Sequence, residues 1–323
     1  MLHDLAVNAG TVFASIPSPP QHTWYLGPLA IRAYGILIGI GMIVAVLITQ
    51  KRYRERGGNP DLVFDVAMAA IPTGIIGARL YHVFTSPQGY FPPNGDPTEI
   101  VKIWHGGLGI WGGIAAGALG GWLMLRHRGQ RVGPFVDSVA PALLVAQAIG
   151  RLGNWFNQEL FGGATNLPWG LQIDDAHLPA GYASGTLFHP TFLYELLWNL
   201  GAAALIIVLD RKRRFHGGQL MWLYIMAYTA GRIWIENVRI DTATMVLGLR
   251  INVWIMSLTF LFALVGFYLA GKRAADTTVT AEEAVQQGSS SHDDASGEDG
   301  VPVGAPGDIP AVLPDEKEGK NVE

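Results

Sequence analysis

Residues 150–162 gather the side chains most able to do chemistry at the end of a long apolar segment. They read Gly-Arg-Leu-Gly-Asn-Trp-Phe-Asn-Gln-Glu-Leu-Phe-Gly. An arginine, two asparagines and a carboxylate are costly at the edge of an apolar layer and are seldom placed there without a function. Arg151, Asn154 and Asn157 recur every three residues, so on a continuing helix they share one face. The alternative interpretation is a polar helix cap with glycines for packing.

A second polar row lies near the end of another apolar segment. Tyr228, Arg232 and Glu236 are four residues apart, and Arg239 follows three residues later. These spacings place all four side chains on one helix face. Arg232 and Glu236 could form a structural ion pair, and such a pair would also fix the guanidinium in a pose that suits a phosphate.

Apolar helices must position these residues. A helix that crosses a membrane needs about 20 mostly apolar residues. Seven windows fit, at about 28–49, 62–84, 107–125, 134–152, 190–209, 217–236 and 251–271. Charged residues make up 15% of the chain, below the usual share of about 25%. We therefore predict an all-α polytopic membrane protein with seven transmembrane helices.

The basic residues of the loops predict the direction of these helices, because cytoplasmic loops carry an excess of lysine and arginine. Loops on one side hold 13 such residues between Lys51 and Arg273, whereas the other side has three, Lys102, Arg239 and Arg250. The first side is predicted to be cytoplasmic, with the N-terminus outside and the C-terminus inside. Residues 1–27 contain no lysine or arginine and are not expected to be a cleavable signal peptide.

The last fifty residues differ from the rest of the chain. Residues 274–323 contain twelve acidic and two basic residues among polar runs. Such a segment buries too little apolar area to offset its chain entropy. We predict a membrane domain over 1–273 and a disordered acidic cytoplasmic tail over 274–323, with a docking segment for a basic partner as the alternative.

Glycines punctuate the third predicted span at a spacing that lets helices approach closely. Gly113, Gly117 and Gly121 are four residues apart. Small residues at this spacing mark close helix–helix contacts. We expect the contact to lie within the chain, in preference to a dimer interface.

Ionisable side chains from five predicted helices fall in the outer half of the membrane. They are Arg32, Arg79, Arg151, Glu195, Arg232 and Glu236. Each could snorkel to the interface or form a structural pair. Their common depth favours a polar cavity open to the outer leaflet. Because a guanidinium matches a pair of phosphate oxygens, the cavity suggests an anionic lipid headgroup.

The motifs resemble those of the bacterial phosphatidylglycerol–prolipoprotein diacylglyceryl transferases. That family's signature reads Gly-Arg-x-Gly/Ala-Asn-Phe-x-Asn-x-Glu-x-x-Gly, and residues 150–162 differ from it only at Trp155. Further similar segments occur in the same order and cover about residues 25–272. They are Ala33-Tyr34-Gly35, Gly77-Ala78-Arg79-Leu80-Tyr81, His189-Pro190-Thr191-Phe192-Leu193-Tyr194-Glu195 and the row from Tyr228 to Arg239.

The resemblance implies a transferase that acts in the first step of bacterial lipoprotein maturation. It would move the diacylglyceryl group of phosphatidylglycerol to the lipobox cysteine of preprolipoproteins, forming a thioether and releasing glycerol 1-phosphate. Arg151 and Arg232 would stabilise the leaving phosphate. The implied lipid-binding residues are Arg151, Asn154, Asn157, Glu159, Tyr34, Tyr228, Glu236 and Arg239, with Arg79, His189 and Glu195 in support.

One position departs from the family pattern. The family often carries His-Gly-Gly in its third span, with a histidine treated as important for catalysis, whereas this chain has Trp111 there. His105, six residues earlier, is a candidate base, although a loop histidine can also be a solvated surface residue. His189 and a carboxylate remain alternatives.

The expected partners are phosphatidylglycerol, signal peptides with a lipobox cysteine and the bilayer of the bacterial plasma membrane, with the active site toward the outer leaflet. No nucleic acid is expected, and no cofactor or metal, because the nine histidines lack ligand spacing. The chain has no cysteine, so a reacting thiol must belong to the substrate. An anion transporter or flippase and a non-reacting lipid-binding protein are the rival classes. Charges at one depth and the absence of an inverted repeat weigh against a transporter.

Overall fold

The computed structural model describes residues 15–293 apart from Pro28 and Asn94, and leaves out the side chains of Leu29 and of 274–293. Within these residues the chain forms seven α-helices of 18 residues or more. They are α1 (Ala33–Glu55), α2 (Asp61–Thr85), α3 (Ile110–His127), α4 (Val132–Asn157), α5 (Thr191–Arg213), α6 (Gln219–Val238) and α7 (Ile251–Asp293). The prediction of an all-helical fold is confirmed in this described part.

In the described residues three small antiparallel hairpins lie before α1, between α4 and α5, and between α6 and α7. They pair β1 (Thr23–Leu26) with β2 (Leu29–Arg32), β3 (Leu171–Gln172) with β4 (Leu187–Phe188), and β5 (Met245–Val246) with β6 (Leu249–Arg250). Thr23 pairs with Arg32, Leu171 with Phe188, and Met245 with Arg250. Four single 3-10 turns, at Pro87–Gly89, Pro97–Val101, Ile103–His105 and Asp175–His177, complete the connections.

Five described helices are long and apolar enough to cross a membrane: α1, α2, α4, α5 and the first 23 residues of α7. The protein is therefore a multi-pass helical membrane protein. The other two helices coincide with predicted spans but are not among these five. α3 contains five glycines and ends in Arg126-His127, and α6 carries Arg232 and Glu236. That α3 and α6 also cross, and the orientation, stay predictions.

Many large apolar side chains on the helices are exposed. Ile43, Phe64, Phe84, Leu258 and Phe262 are all more than half exposed. Contiguous apolar surface on this scale is typical of contact with lipid. The packing therefore agrees with the composition in placing these helices in a bilayer.

The ends of the first and last helices differ from the predicted spans. The first span was predicted from about residue 28, but residues 29–32 form β2 and α1 begins at Ala33. Gly27, with a φ of 61°, makes the turn that returns the strand on itself. At the other end α7 runs to Asp293, although internal contacts divide the chain after Ala275. The disordered tail stays a prediction, and 294–323 lie outside the described residues, as do 1–14.

Helix α4 is the central element, packed against α1, α5 and α6, whereas α2 and α3 form a close pair. Gly113 and Gly117 of α3 lie against Gly74 of α2. At Gly117 a Cβ atom would stand 3.2 Å from the carbonyl oxygen of Ala70. The prediction that the glycine row packs within the chain is confirmed.

Polar contacts fix the register of the helices at the end opposite the hairpins. The buried carboxylate of Asp137 accepts hydrogen bonds from the backbone N–H groups of Gly218 (2.9 Å) and Leu220 (2.8 Å), at the start of α6. Arg52 and Arg56 both pair with Asp210, at 2.8 and 2.7 Å. These contacts cap α6 and tie α1 to α5.

Candidate functional site

The segment from Gly150 to Gly162, called here the signature segment, is helical up to Asn157 and then turns sharply. Since α4 continues that far, the predicted stripe of Arg151, Asn154 and Asn157 is present on one helix. Gln158 and Leu160 follow with φ values of 52° and 60°. Left-handed backbone at such residues persists only where surrounding contacts hold it.

Two contacts hold this turn. The side-chain amide of Gln158 donates to Asp174 Oδ2 (2.5 Å), and its Oε1 accepts from the Asp174 backbone N–H (2.8 Å). The Leu160 carbonyl oxygen accepts from Thr191 Oγ1 at 2.5 Å. The end of α4 is thus fastened to the following loop and to the start of α5.

Glycines bring the signature segment close to its neighbours. A Cβ on Gly153 would lie 2.3 Å from the ring of Tyr34, so this tyrosine packs directly on α4. Gly162 donates its N–H to the carbonyl oxygen of His189 at 2.9 Å and pairs with Arg239 in an isolated bridge. The two glycines therefore bind the segment to α1 and to the ends of α5 and α6.

A continuous chain of ion pairs joins α4, α5, α6 and the hairpin of β5 and β6. This arginine–carboxylate chain consists of Arg151, Glu195, Arg232, Glu236, Arg239, Asp241 and Arg250. Glu195 lies between two arginines, with Oε2 2.6 Å from Arg151 Nε and Oε1 2.6 Å from Arg232 Nη1. Arg232 Nη2 reaches Glu236 Oε2 at 2.7 Å. One guanidinium thus joins the two carboxylates.

Glu236 is the most enclosed member of the arginine–carboxylate chain, with 0% of the residue exposed. Besides Arg232, it has Arg250 Nε at 3.0 Å, Arg239 Nη1 at 3.6 Å and a 2.9 Å hydrogen bond from Asn252 Nδ2. A buried carboxylate persists only where pairing and hydrogen bonds offset its lost hydration. Glu236 is therefore a positioning residue that holds three guanidinium groups.

Asp241 lies in the loop after α6 and joins the last two arginines of the arginine–carboxylate chain. It accepts from Arg239 Nε at 2.7 Å and from Arg250 Nη2 at 2.9 Å. Burial raises the pKa of Asp241, but the hydrogen bond from Arg239 and the charges of Arg239 and Arg250 outweigh it and hold this pKa below the ordinary 3.8. The carboxylate is therefore ionised at neutral pH.

Four arginines and three carboxylates leave the arginine–carboxylate chain with one formal positive charge. Arg151 is its most open arginine, with 20% of its side chain exposed. Among the described residues its only hydrogen bond runs from Nη1 to Asn154 Oδ1, at 3.3 Å. A guanidinium held mainly through Nε keeps most of its donors for an anion.

Beside Arg151 the amides of the stripe converge on one carboxylate. Asn154 Nδ2 and Asn157 Nδ2 donate to Glu159 Oε1 at 2.9 and 3.0 Å. A cavity of about 440 Å³ opens next to them, lined by His22, Thr23, Tyr25, Ala30, Arg32, Asn157 and Glu159. The signature segment thus borders a mostly polar cavity formed with the first hairpin.

Arg79 has a different role from the other outer arginines. It is buried and donates to the backbone carbonyl oxygens of Glu99, Ile100 (2.9 Å), Gly106 (2.5 Å) and Gly107 (2.9 Å). Its guanidinium also lies 5.0 Å from the centre of the Tyr90 ring. Arg79 therefore organises the loop between α2 and α3 and is not part of the arginine–carboxylate chain.

That loop carries His105, which is 53% exposed at its side chain. Its Nδ1 lies 2.7 Å from Glu99 Oε2, and Lys102 Nζ lies 2.8 Å from Glu99 Oε1. Hydrogen bonds from Lys102 and then from His105 hold the pKa of Glu99 below the ordinary 4.5. Among the described residues the partners of His105 are its loop neighbours, so the structure does not bring it against Arg151.

The remaining predicted site residues have local partners. His189 Nδ1 lies 3.1 Å from the hydroxyl of Tyr194, and the Tyr228 ring stacks on Tyr224. Trp111, at the usual histidine position, is 49% exposed on the first turn of α3.

Sequence reasoning missed Arg250, Asp241 and Asn252 as members of the site. Arg250 was counted as a loop charge. Its position directly before the last apolar window, opposite the end of α6, was the available signal. Asp241 lies two residues after Arg239 and could have been found as its partner.

The fold and the site together define a class of protein. It is a multi-pass helical membrane protein with a buried, positively charged ion-pair chain at one end. Residues 21–269 match the family model described as prolipoprotein diacylglyceryl transferase. The chain therefore belongs to the prolipoprotein diacylglyceryl transferase family, and the resemblance of its motifs is confirmed.

Three relatives named phosphatidylglycerol–prolipoprotein diacylglyceryl transferase are similar over most of the chain. The one from Frankia alni is 50% identical over 273 residues, 84% of this chain and 71% of that protein. The one from Corynebacterium efficiens is 47% identical over 308 residues, 92% and 96% of the two chains. The one from Bifidobacterium adolescentis is 46% identical over 282 residues, 84% of each.

Proposed function

We propose that the protein transfers the diacylglyceryl group of phosphatidylglycerol to the lipobox cysteine of preprolipoproteins, as the first step of lipoprotein maturation. The family and the names of the relatives support this reaction. The observation that carries it is the arginine–carboxylate chain, whose one excess positive charge suits a phosphodiester anion.

The reaction needs charge stabilisation on the phosphate. The cysteine sulfur attacks the glycerol carbon, a carbon–sulfur bond forms, and the carbon–oxygen bond to phosphate breaks. The electron pair leaves with the phosphate oxygen as glycerol 1-phosphate, which gathers negative charge during the step. Arg151 and Arg232, held on the two oxygens of Glu195, stabilise that charge without reorganising.

Other members of the site bind and position the lipid. Asn154, Asn157 and Glu159 orient the headgroup hydroxyls at the open end of the site. Tyr34 and Tyr228 contact the lipid beside the two catalytic arginines. Four further residues act through other groups. Glu195 and Glu236 hold the guanidinium groups, and Arg239 holds the Glu236 carboxylate. His189 holds the backbone of the signature segment at Gly162.

The thiol proton must go to a base, and His105 is our proposal for it. Glu99 binds its Nδ1 and so favours the tautomer in which Nε2 is the acceptor. Arg79 holds the backbone of the loop that carries both residues. This loop joins α2 to α3, at the same end of the helices as the signature segment if each helix crosses the membrane.

The proposed setting is the bacterial plasma membrane. With seven spans and the N-terminus outside, the hairpins and the arginine–carboxylate chain would lie at the outer leaflet, where a lipobox thiol would meet phosphatidylglycerol. The loop charges support this orientation.

Arg151 provides the decisive test. We expect Arg151→Gln to lower transfer to a lipobox peptide by about 100-fold or more, with a thermal unfolding midpoint close to that of the wild type. Folding should survive because Glu195 keeps Arg232 as its partner. Mass spectrometry of the peptide, incubated with phosphatidylglycerol in detergent, reports the added diacylglyceryl group.

Arg128→Gln is the matched control, because Arg128 pairs with Asp65 on the exposed opposite end, and it should keep wild-type turnover. Near-normal transfer by folded Arg151→Gln would remove this arginine from the mechanism. A peptide that gains no mass from the wild-type protein would contradict the function itself. Arg232→Gln is less suitable as the first test, because it leaves two buried carboxylates with fewer partners.

A further inference from the structure

A second polar layer lies one helical turn below the arginine–carboxylate chain. Gln147 precedes Arg151 by four residues on α4, and Asn199 follows Glu195 by four residues on α5. Since one turn of helix rises about 5.4 Å, both amides lie that much deeper in the bundle. We call Gln147 and Asn199 the amide layer.

Below the amide layer the same three helices meet through apolar side chains. Leu144 of α4, Ala203 and Ile206 of α5, and Leu220 of α6 belong to one buried apolar cluster. The interface of α4, α5 and α6 therefore passes from ionic to amide to apolar within about three helical turns.

The hydrogen bonds of the amide layer are incomplete. Asn199 is 2% exposed, and within the described residues its Nδ2 has no hydrogen-bond partner. Gln147 donates from Nε2 to the Tyr224 hydroxyl at 2.8 Å, while its buried Oε1 has no partner in this part of the chain. Buried amide groups are almost always paired, so two unpaired amide atoms at the same depth on two packed helices point to a ligand.

Gln147 can offer a donor as readily as an acceptor. The Tyr224 hydroxyl can donate as well as accept. If the Gln147 amide is rotated by about 180°, the Tyr224 hydroxyl donates to Oε1 and the hydrogen bond is kept. Nε2 then occupies the unpaired position. In that orientation the amide layer presents one N–H donor from α4 and one from α5.

We propose that the amide layer binds the acyl ester carbonyl oxygens of the lipid substrate. This inference rests on the proposed function. In a diacylglycerophospholipid, the two ester carbonyls lie just deeper than the phosphate, and both can only accept hydrogen bonds. With phosphate at Arg151 and Arg232, Asn199 Nδ2 donates to one carbonyl and the Gln147 amide donates to the other.

The proposal makes the enzyme selective for ester-linked over ether-linked lipid. A diether phosphatidylglycerol keeps the phosphate and the carbon–oxygen bond that breaks, but it has no carbonyl oxygens. Binding it leaves the buried donors unpaired, and a site built around a hydrogen bond discriminates strongly against a ligand that lacks it. We expect kcat/KM for the diether to be lower by about 10- to 100-fold.

The test compares both lipids, matched in chain length, in detergent micelles with one lipobox peptide as acceptor. Asn199→Leu removes the donor with little change of shape. We expect it to slow transfer from the diester by about 10-fold and to leave the diether rate nearly unchanged, so that the preference shrinks. Thr229→Val is the control, because the buried Thr229 hydroxyl already bonds to the Ile225 carbonyl oxygen at 2.7 Å. It should keep the wild-type preference.

Two outcomes would overturn the inference: equal use of both lipids by the wild type, or an ester preference that survives Asn199→Leu. A wild-type protein that transfers from neither lipid contradicts the proposed function instead. In that case thermal stabilisation by the two lipids decides the inference. Greater stabilisation by the diester, lost in Asn199→Leu, would support the amide layer, and equal stabilisation would reject it.

Discussion

Within the arginine–carboxylate chain the inner residues enclose one another, and Arg151 is the most exposed arginine. Glu236 is enclosed by Arg232, Arg239 and Arg250. Each of these charges would be costly alone in a low-dielectric interior, and their mutual pairing lowers that cost. Arg151 lies at one end of the arginine–carboxylate chain and, among the described residues, pairs with fewer carboxylates than the other arginines of the chain. Its guanidinium can therefore bind the phosphate of an arriving lipid.

The proposed base gives a prediction about pH. We expect His105→Ala to lower transfer by about 100-fold at neutral pH, the lower range for losing a positioned base. Glu99→Gln should cause a smaller loss, because the imidazole keeps its place but not the carboxylate that orients it. Transfer rates of both variants, measured from about pH 6 to 9 beside the wild type, check these expectations.

Glu99 itself cannot produce the pH dependence in that range. Its pKa is held below 4.5, so it is ionised above that value, and its pairing weakens only as the pH falls through the lowered pKa. His127→Ala serves as the control, because His127 is exposed at the other end of α3. Wild-type rates for His105→Ala over the whole pH range would exclude it and make His189 the next candidate.

Helices were the part of the fold that the sequence could predict, because apolar windows of this length have few other structures. The contacts between the helices were harder to predict from the sequence. The partnership of Arg250 with Glu236 joins residues fourteen positions apart through a hairpin, and no local pattern encodes it. The role of Arg79 was also hidden, because its acceptors are backbone carbonyl oxygens, which are present in every loop.

Glycine contacts between α2 and α3 supply a prediction at the scale of the element. At Gly77 a new Cβ would lie 2.5 Å from the Gly112 carbonyl oxygen and 2.2 Å from Ala116 Cβ. Gly77→Ala must push the two helices apart, and overpacking of this kind costs about 1–3 kcal/mol. We expect a lower thermal unfolding midpoint in detergent. We also expect the hydrogen bonds between Arg79 and the backbone of the α2–α3 loop to be lost.

Gly39→Ala is the matched control, since a Cβ at Gly39 of α1 meets nothing within 4 Å. This variant should unfold at or slightly above the wild-type midpoint, because alanine favours the helix. Equal midpoints for the two variants would show that α2 and α3 are not held by this contact.

At the largest scale, the helical unit that ends at Ala275 has two chemically different ends. One carries the Arg52–Asp210 and Arg128–Asp65 pairs with the basic loops, and the other carries the hairpins and the arginine–carboxylate chain. The loop charges predicted which end faces the cytoplasm. That α3 and α6 cross the membrane stays a prediction, because these two helices, with their glycines and charged residues, are not among the five candidate spans.

The natural absence of cysteine makes the seven-span topology directly testable. Single cysteines at Gln88 and Gln130 flank α3, and single cysteines at His216 and Thr242 flank α6, all at exposed positions. If both helices cross and the N-terminus is outside, Gln88→Cys and Thr242→Cys react with a membrane-impermeant maleimide in intact cells. Gln130→Cys and His216→Cys should react only after lysis. Labelling of both members of a pair in intact cells would mean that the helix between them does not cross. The arginine–carboxylate chain would then not lie at the face predicted here. The proposed reaction would need another topology, because the lipobox thiol and the arginine–carboxylate chain must meet at the same face of the membrane.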